Sequence, residues 1–219
     1  MTSAPGPHPD PPTGFSSTTL PFGSKSVHRE VREAAKGPWY RFHATGLEAL
    51  HFGRRRTFRF DDPRGKFGVL YAAADEHGAF IETFGQSLHA GKPVRGFRFV
   101  SDLDLEGRAL ACIRARRRLR LVDLTGEGLP RIGADERLCA GDYRVAQRWS
   151  RAIHAHPSCP DGILYRARRD PSRISAALFD RALPRLAVTP LSTLMDAENR
   201  ALRDRILATY RLGLLLLPR

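Results

Sequence analysis

Residues 59–84 read RFDDPRGKFGVLYAAADEHGAFIETF, and the change of texture inside this stretch sets the architecture. Asp61-Asp62-Pro63-Arg64-Gly65 is a turn by composition. Phe67-Gly68-Val69-Leu70-Tyr71 is a short apolar strand, and from Ala72 to Leu88 the apolar spacing becomes helical. An arginine thus stands ahead of a turn, a tyrosine ends a strand, and a glutamate follows eleven positions later. On one straight helix Tyr71 and Glu82 would lie about 16 Å apart at 1.5 Å per residue, too far for one small site. If the strand ends at Tyr71 and the helix begins near Asp75 to Gly78, Glu82 falls in the first helical turns and folds back toward the strand end. Arg59, Tyr71 and Glu82 then share one cleft. Phe80 and Phe84, at i and i+4, take the buried helix face and leave Glu82 on another.

Working outward, Trp39 to His43 gathers bulky β-favouring residues into a first strand. His51 to Phe60 alternates imperfectly and carries the basic run Arg54-Arg55-Arg56. Phe97 to Asp104 and Ala109 to Leu124 are arginine-rich stretches of strand type. Gly141 to His154 reads as a helix with Tyr143, Ala146, Trp149 and Ile153 on one face, and Tyr143 and Trp149 are expected in the core. Gly162 to Tyr165 and Ala176 to Phe179 continue the core. Ser192 to Tyr210 reads as a terminal helix, followed by the apolar tail Leu212 to Leu217. Strands and helices without a regular βαβ beat predict an α+β single domain, with a mixed or antiparallel β core and flanking helices.

The first 25 residues contain six prolines among Gly, Ser and Thr, a flexible lead-in that cannot organise a core. A short helix over Ser26 to Ala35, stopped by Gly37-Pro38, opens the folded part, so the expected division is 1–25 and 26–219. With 219 residues, 42% apolar and 27% charged, the chain has the composition of one globular domain. No stretch has the roughly 18 apolar residues of a membrane span. The N-terminus lacks a signal-peptide pattern, and three cysteines without paired spacing point to neither a disulfide framework nor a zinc site. A cytoplasmic location is the expectation. Lys plus Arg total 36 against 23 acids, and 32 of those 36 are arginine. A net charge of +13 suits partners that carry phosphate or carboxylate. Phosphate-loop, dinucleotide-fingerprint, zincin and nucleophile-elbow motifs are all lacking. His154 and His156 have no cluster of acidic or cysteine ligands beside them in sequence, so no metal is expected.

The order and spacing of Arg59, Tyr71 and Glu82 resemble the RES-domain family, named for its Arg, Glu and Ser residues. Other segments carry the likeness in order. Tyr40-Arg41 is similar to the family's early arginine strand, and Leu121-Val122-Asp123-Leu124 to its central strand. Gly141-Asp142-Tyr143, continuing to Gln147-Arg148-Trp149, resembles its Tyr…Gln-x-Trp helix. Asp161 to Arg166 and Ala177 to Asp180 resemble its late strand and the segment after it. The match runs over about residues 39 to 210. The resemblance implies a fold related to ADP-ribosyltransferases. It also implies a toxin of a toxin–antitoxin pair that consumes NAD as substrate, by hydrolysis, phosphorolysis or transfer of ADP-ribose to a protein. It implies a cognate Xre-like antitoxin as partner, with nucleic acid engaged only through that complex. The family's arginine, tyrosine and glutamate fall on Arg59, Tyr71 and Glu82, and its earlier arginine on Arg41. The twelve-residue gap from Arg59 to Tyr71 is slightly long, which makes Arg64 the alternative. The family serine commonly follows the late strand as Tyr-x-Ser-Arg, where this chain has Tyr165-Arg166-Ala167-Arg168. Either Ser172 or Ser175 stands in, or the hydroxyl is missing.

These residue types suit cleavage of a nicotinamide–ribose bond. A carboxylate stabilises positive charge developing on the sugar, the task expected of an ionised Glu82. Tyr71 offers a π-face to the cationic ring. Arg59 and Arg41 can clamp a diphosphate with charge-assisted bonds. Taken singly, each residue also has an ordinary structural role, and it is their joint occurrence that carries the reading. Two alternatives stay open. One is a basic nucleic-acid-binding module built on Arg54–Arg56 and Arg114–Arg120, the other a catalytically weakened relative kept as an interaction protein.

Overall fold

The apolar runs assemble into a seven-stranded sheet in the computed structural model, which describes residues 37–90 and 98–218. The proline-rich lead-in and the short helix expected over Ser26 to Ala35 lie outside the described residues. The strands are β1 (Trp39–Ala44), β2 (Val69–Ala73), β4 (Arg108–Ala115), β5 (Leu121–Asp123), β6 (Gly162–Ala167), β7 (Asp170–Phe179) and β8 (Leu186–Thr193). Their order across the sheet is β5-β6-β7-β2-β1-β4-β8. Only β5 and β6 run parallel; every other pair is antiparallel. A second, two-stranded parallel sheet pairs β3 (Arg98–Ser101) with β9 (Leu212–Leu215). The main helices are α1 (Glu76–Ala90), α5 (Tyr143–Ala155) and α6 (Arg200–Tyr210); α2 (Asp102–Glu106), α3 (Gly128–Arg131) and α4 (Arg137–Ala140) are short. The expected α+β class with a mixed core is the one observed.

Register decides which side chains meet. Tyr71 pairs with Ala177, and Ile163 pairs with Ala177 from the other side, so all three side chains project to one face. One row on, Tyr165, Ser175, Ala73 and Tyr40 share that face. Helix α5 covers part of it with Ala146, Trp149 and Ile153 packed on Ile163, Tyr165, Ala177 and Phe179. Helix α1 covers the neighbouring part with Phe80 and Phe84 packed on Phe42 and Ala73, the buried i, i+4 pair that the spacing required. The opposite face holds Trp39, Leu70, Ala72, Ala176 and Leu178, backed by Leu50 and Phe52 from the long β1–β2 connection.

The departures from the sequence reading have local causes. Strand β2 begins two residues late and continues to Ala73, because the Gly68 amide is taken by Asp180 at 2.8 Å before the ladder starts. Tyr71 is therefore mid-strand. Helix α1 starts at Glu76, inside the predicted window, where Asp75 Oδ1 accepts the Gly78 amide at 2.7 Å as a cap. The stretch from 97 to 104 splits at Ser101, whose hydroxyl accepts the Asp104 amide and opens α2. The stretch from 109 to 124 is two strands in distant parts of the sheet, divided by the exposed run Arg116–Arg118. The terminal helix expected from Ser192 starts only at Arg200; Ser192 and Thr193 end β8 (Leu186–Thr193), which the sequence reading missed, and Ala197–Asn199 form a 3₁₀ turn.

Candidate active site

The loop that carries Arg59 contains no strand of its own and is held from two sides. Asp61, almost wholly buried, accepts the Thr57 and Phe58 amides on Oδ2, each at 3.0 Å. Its Oδ1 accepts the Tyr71 hydroxyl at 3.0 Å, while that hydroxyl accepts the Phe60 amide at 2.8 Å. From the other side, α5 contributes Gln147 Nε2, which donates to the carbonyls of Arg56 and Phe58, both at 3.0 Å, and Ser150 Oγ, which donates to Phe60 O at 2.6 Å. Arg56 is held at φ 62°, a left-handed conformation unusual for a residue other than glycine. Such strain persists where surrounding bonds over-determine it, as these do. The result is an arginine with little freedom: Arg59 is 6% exposed, donates Nη1 to Gly141 O at 2.9 Å, and stacks its guanidinium on the Tyr143 ring, 4.5 Å from the centroid. Its Nη2 is buried without a hydrogen-bond partner.

Glu82 reaches the same place from α1. Its carboxylate accepts the Tyr165 hydroxyl at 2.9 Å and faces the backbone N–H of Arg168. Burial pushes the Glu82 carboxyl above the usual glutamate range; the Tyr165 bond, the Arg168 amide and the charges of Arg59 and Arg169 pull it back. Burial first, then the neighbouring carboxylate, drives the phenols of Tyr165 (beside Glu82) and Tyr71 (beside Asp61) well above the ordinary tyrosine range. Both therefore remain protonated donors. Burial likewise pushes the nearby Cys139 thiol up to about 12, so it is no thiolate nucleophile at neutral pH. Tyr71 presents a half-buried ring, edge-on to Phe58 at 5.6 Å, and Phe58 is 56% exposed. The structure thus brings Arg59, Tyr71 and Glu82 to one face of the sheet, at the seam between α1 and α5.

Arg41 is not brought with them. Alternation along β1 sends Tyr40 and Phe42 to the site face and Arg41 to the opposite one, where its Nη1 donates to His51 O at 3.1 Å. Arg64, the alternative to Arg59, is exposed in the 61–65 turn.

A model of the RES domain matches residues 31–202. The chain belongs to the RES domain family. The probable toxin y4kH of Sinorhizobium fredii is 34% identical over 97 residues, which span 44% of this chain and 76% of that protein. In the crystal structure of the M. tuberculosis MbcT–MbcA toxin–antitoxin complex, one chain superposes with a TM-score of 0.56 at 18% identity, covering 79% of this chain and 90% of that one. The likeness to that chain is one of fold.

Within this RES domain the two candidate serines have different settings. Ser172 is exposed near the β6–β7 turn and donates to Asp170. Ser175 is wholly buried on the site face, in register with Tyr165, with an unpartnered Oγ. Ala167 is buried as well. Trp149 is core as expected, whereas Tyr143 is half-buried against Arg59 and belongs to the site. Sequence reasoning also missed Asp61, Gln147, Ser150 and Tyr165 as parts of the machinery. Gln147 and Ser150, three apart, directly follow Ala146 and Trp149 of the buried face and were visible as a polar pair along its edge. The basic run at 54–56 is partly neutralised, since Arg54 donates to Asp180 at 2.7 Å. Among the described residues no group of three or more His, Cys, Asp or Glu is placed to hold a metal ion. His154 stacks on Phe67 at 3.8 Å and accepts a bond from Arg181. No helix among the described residues is long and apolar enough to cross a membrane.

Proposed function

We propose that this RES domain is the NAD-consuming toxin of a toxin–antitoxin pair, acting in the cytoplasm and breaking the bond between nicotinamide and ribose. The observation that carries the reading is Glu82. It is a half-buried carboxylate at the seam between α1 and α5, aimed by the Tyr165 hydroxyl, with a buried guanidinium beside it. As the C1–N bond breaks, its electron pair leaves with nicotinamide, which departs as a neutral ring and needs no general acid. Positive charge then develops on the ribose. A fixed carboxylate partly withdrawn from solvent stabilises that charge more than it would in water. The acceptor (water, phosphate or a protein side chain) supplies the new bond to C1 and releases its proton to solvent. Tyr71, pinned through its hydroxyl to Asp61 and to the Phe60 amide, offers its ring face to the departing nicotinamide. Arg59, held by Gly141 and Tyr143, directs its free Nη2 toward substrate. The likeness to a probable toxin and to a chain of a toxin–antitoxin complex supports an antitoxin partner for this chain.

Incubation of the purified chain with NAD, with free nicotinamide followed by chromatography, tests the reading. Release that disappears in Glu82→Gln is expected, and a wild-type protein that leaves NAD intact overturns it. Added phosphate converts the product to a ribose phosphate if phosphate is the acceptor, and a labelled protein band marks transfer.

A further inference from the structure

Two arginines near Glu82 have no assigned task. Arg168 and Arg169 form the whole of the two-residue loop between β6 and β7, a place where turn chemistry favours Gly, Asn or Asp. Their neighbours are engaged: Arg166 donates to Pro171 O, and Arg173 pairs with Asp75 and Asp170. Among the described residues, no hydrogen bond or ion pair ties the guanidinium of either Arg168 or Arg169. Both are nonetheless close enough to the site to act on it, Arg168 on the charge of Arg59 and Arg169 on the carboxyl of Glu82. Helix α1 makes room for Arg169. A Cβ on Gly85 would lie 2.7 Å from its Cδ, so the side chain runs over the helix at a glycine, one turn beyond Glu82. Arg59 is more than nine-tenths buried and keeps Nη2 unpartnered in the same cluster. Three guanidinium charges (59, 168 and 169) against one carboxylate leave two in excess, which equals the charge of a dinucleotide's diphosphate.

We propose that Arg168 and Arg169 join Nη2 of Arg59 as the diphosphate-binding residues of this site, a task the sequence reading gave to Arg59 and Arg41. The inference rests on the reading of the site as dinucleotide-cleaving. Fork-shaped, always-charged donors on a short hairpin loop suit two adjacent phosphates better than the single arginine on the opposite face. The Arg168 backbone would hold Glu82 while its side chain holds the substrate's other end, setting the distance between the reacting carbon and the phosphates.

The test uses the full chain in a Glu82→Gln background, so that no ligand is consumed, and measures binding of ADP-ribose and of nicotinamide riboside by calorimetry. Arg168→Ala/Arg169→Ala should weaken ADP-ribose about ten- to hundred-fold, the scale of lost hydrogen bonds to a charged group. It should flatten the salt dependence of that binding, leave nicotinamide riboside unaffected, and keep the melting temperature. Gly85→Ala should weaken ADP-ribose by displacing Arg169 without changing charge. A double variant that binds ADP-ribose as tightly as its parent overturns this assignment while leaving the proposed activity standing. So does one that keeps ADP-ribose and loses an acidic protein partner instead. A wild-type chain that neither binds ADP-ribose nor releases nicotinamide removes the activity and this site together.

Discussion

Each face of the central sheet carries one desolvated arginine, and the two have opposite surroundings. Arg59 has a carbonyl, an aromatic ring and a carboxylate around it. Arg41 has the His51 carbonyl and, at a distance, a second positive charge, Arg108. Each has one buried nitrogen without a partner, Nη2 in Arg59 and Nε in Arg41. Burial lowers both guanidinium groups, but nothing on the back face offsets it, and burial together with Arg108 brings Arg41 down to about 10. A buried arginine is thus not in itself a mark of a binding site. What distinguishes Arg59 is the opposite charge, the ring that stacks it, and the arginine rim of the β6–β7 turn. Arg41 instead ties the β1–β2 connection back to the sheet, beside His43, whose Nδ1 lies 2.9 Å from Leu47 O.

The largest effect that separates the faces belongs to Glu82→Gln. Nicotinamide release should fall by at least about a hundred-fold, on the scale of removing one preorganised charge-stabilising group. Stability should move the other way. A carboxyl whose folded-state pKa is raised is ionised at neutral pH against its environment, so the neutral amide should melt at an equal or higher temperature there. That advantage should fade as pH falls through the raised value, where Glu82 becomes protonated anyway. Tyr165→Phe comes next: it removes a bond that favours the ionised form, so the acid limb of the rate–pH profile should move to higher pH. An unmoved limb would show that Glu82 does not set it. Ser150→Ala should be smaller for turnover, yet plain in a melt. It strips the buried Phe60 carbonyl of its donor, costing about 1–3 kcal/mol, and loosens the loop that aims Arg59, so KM should rise more than kcat falls.

The site face was largely legible because its main residues lie close together in sequence. Arg59, Tyr71 and Glu82 fall within one turn–strand–helix unit, so a period change and a spacing were enough to bring them together. Phe80 and Phe84 fixed the helix face by the same local arithmetic. Tyr143 and Tyr165 were read as core or strand residues because each meets its partner only through long-range packing: Tyr143 through α5, Tyr165 across β6. Asp61 looked like a turn residue and is one, but its second oxygen takes the Tyr71 hydroxyl, a contact no local pattern reports. Strand β8 carried no assignment apart from Ser192 and Thr193, given to the terminal helix, and the proline in LAVTPLST interrupts the pattern of a strand. It lies at the edge of the sheet, where a missing N–H is tolerated. Arg41 was placed at the site by motif alone, although strict alternation from the buried Trp39 and Phe42 already divided β1 between two faces.

Arg41→Met is the mildest change and the one most able to break the contrast between the faces. Methionine keeps most of the length and apolar stem of arginine while removing the charge. The bond lost is to the carbonyl of His51, an exposed residue that water can serve in its place. The charge removed is half-buried, unpaired with any acid among the described residues, and repelled by Arg108. Replacing a buried charge by an apolar group of similar size is often neutral or stabilising, so the change in stability should stay within about 1 kcal/mol and NAD turnover within about twofold. The pH dependence gives a second, independent reading. A base with a depressed folded-state pKa costs stability while it is charged. Above about 10 the folded chain releases that proton before the unfolded chain does, and wild-type stability gains from this group as pH rises further. The methionine variant has no such group, so the difference in melting temperature between the two proteins should shift in favour of wild type across that window. A variant that folds with this profile but loses NAD cleavage as completely as Glu82→Gln would put Arg41 in the reaction from the far side of the sheet, and the division of labour between the two buried arginines would fall.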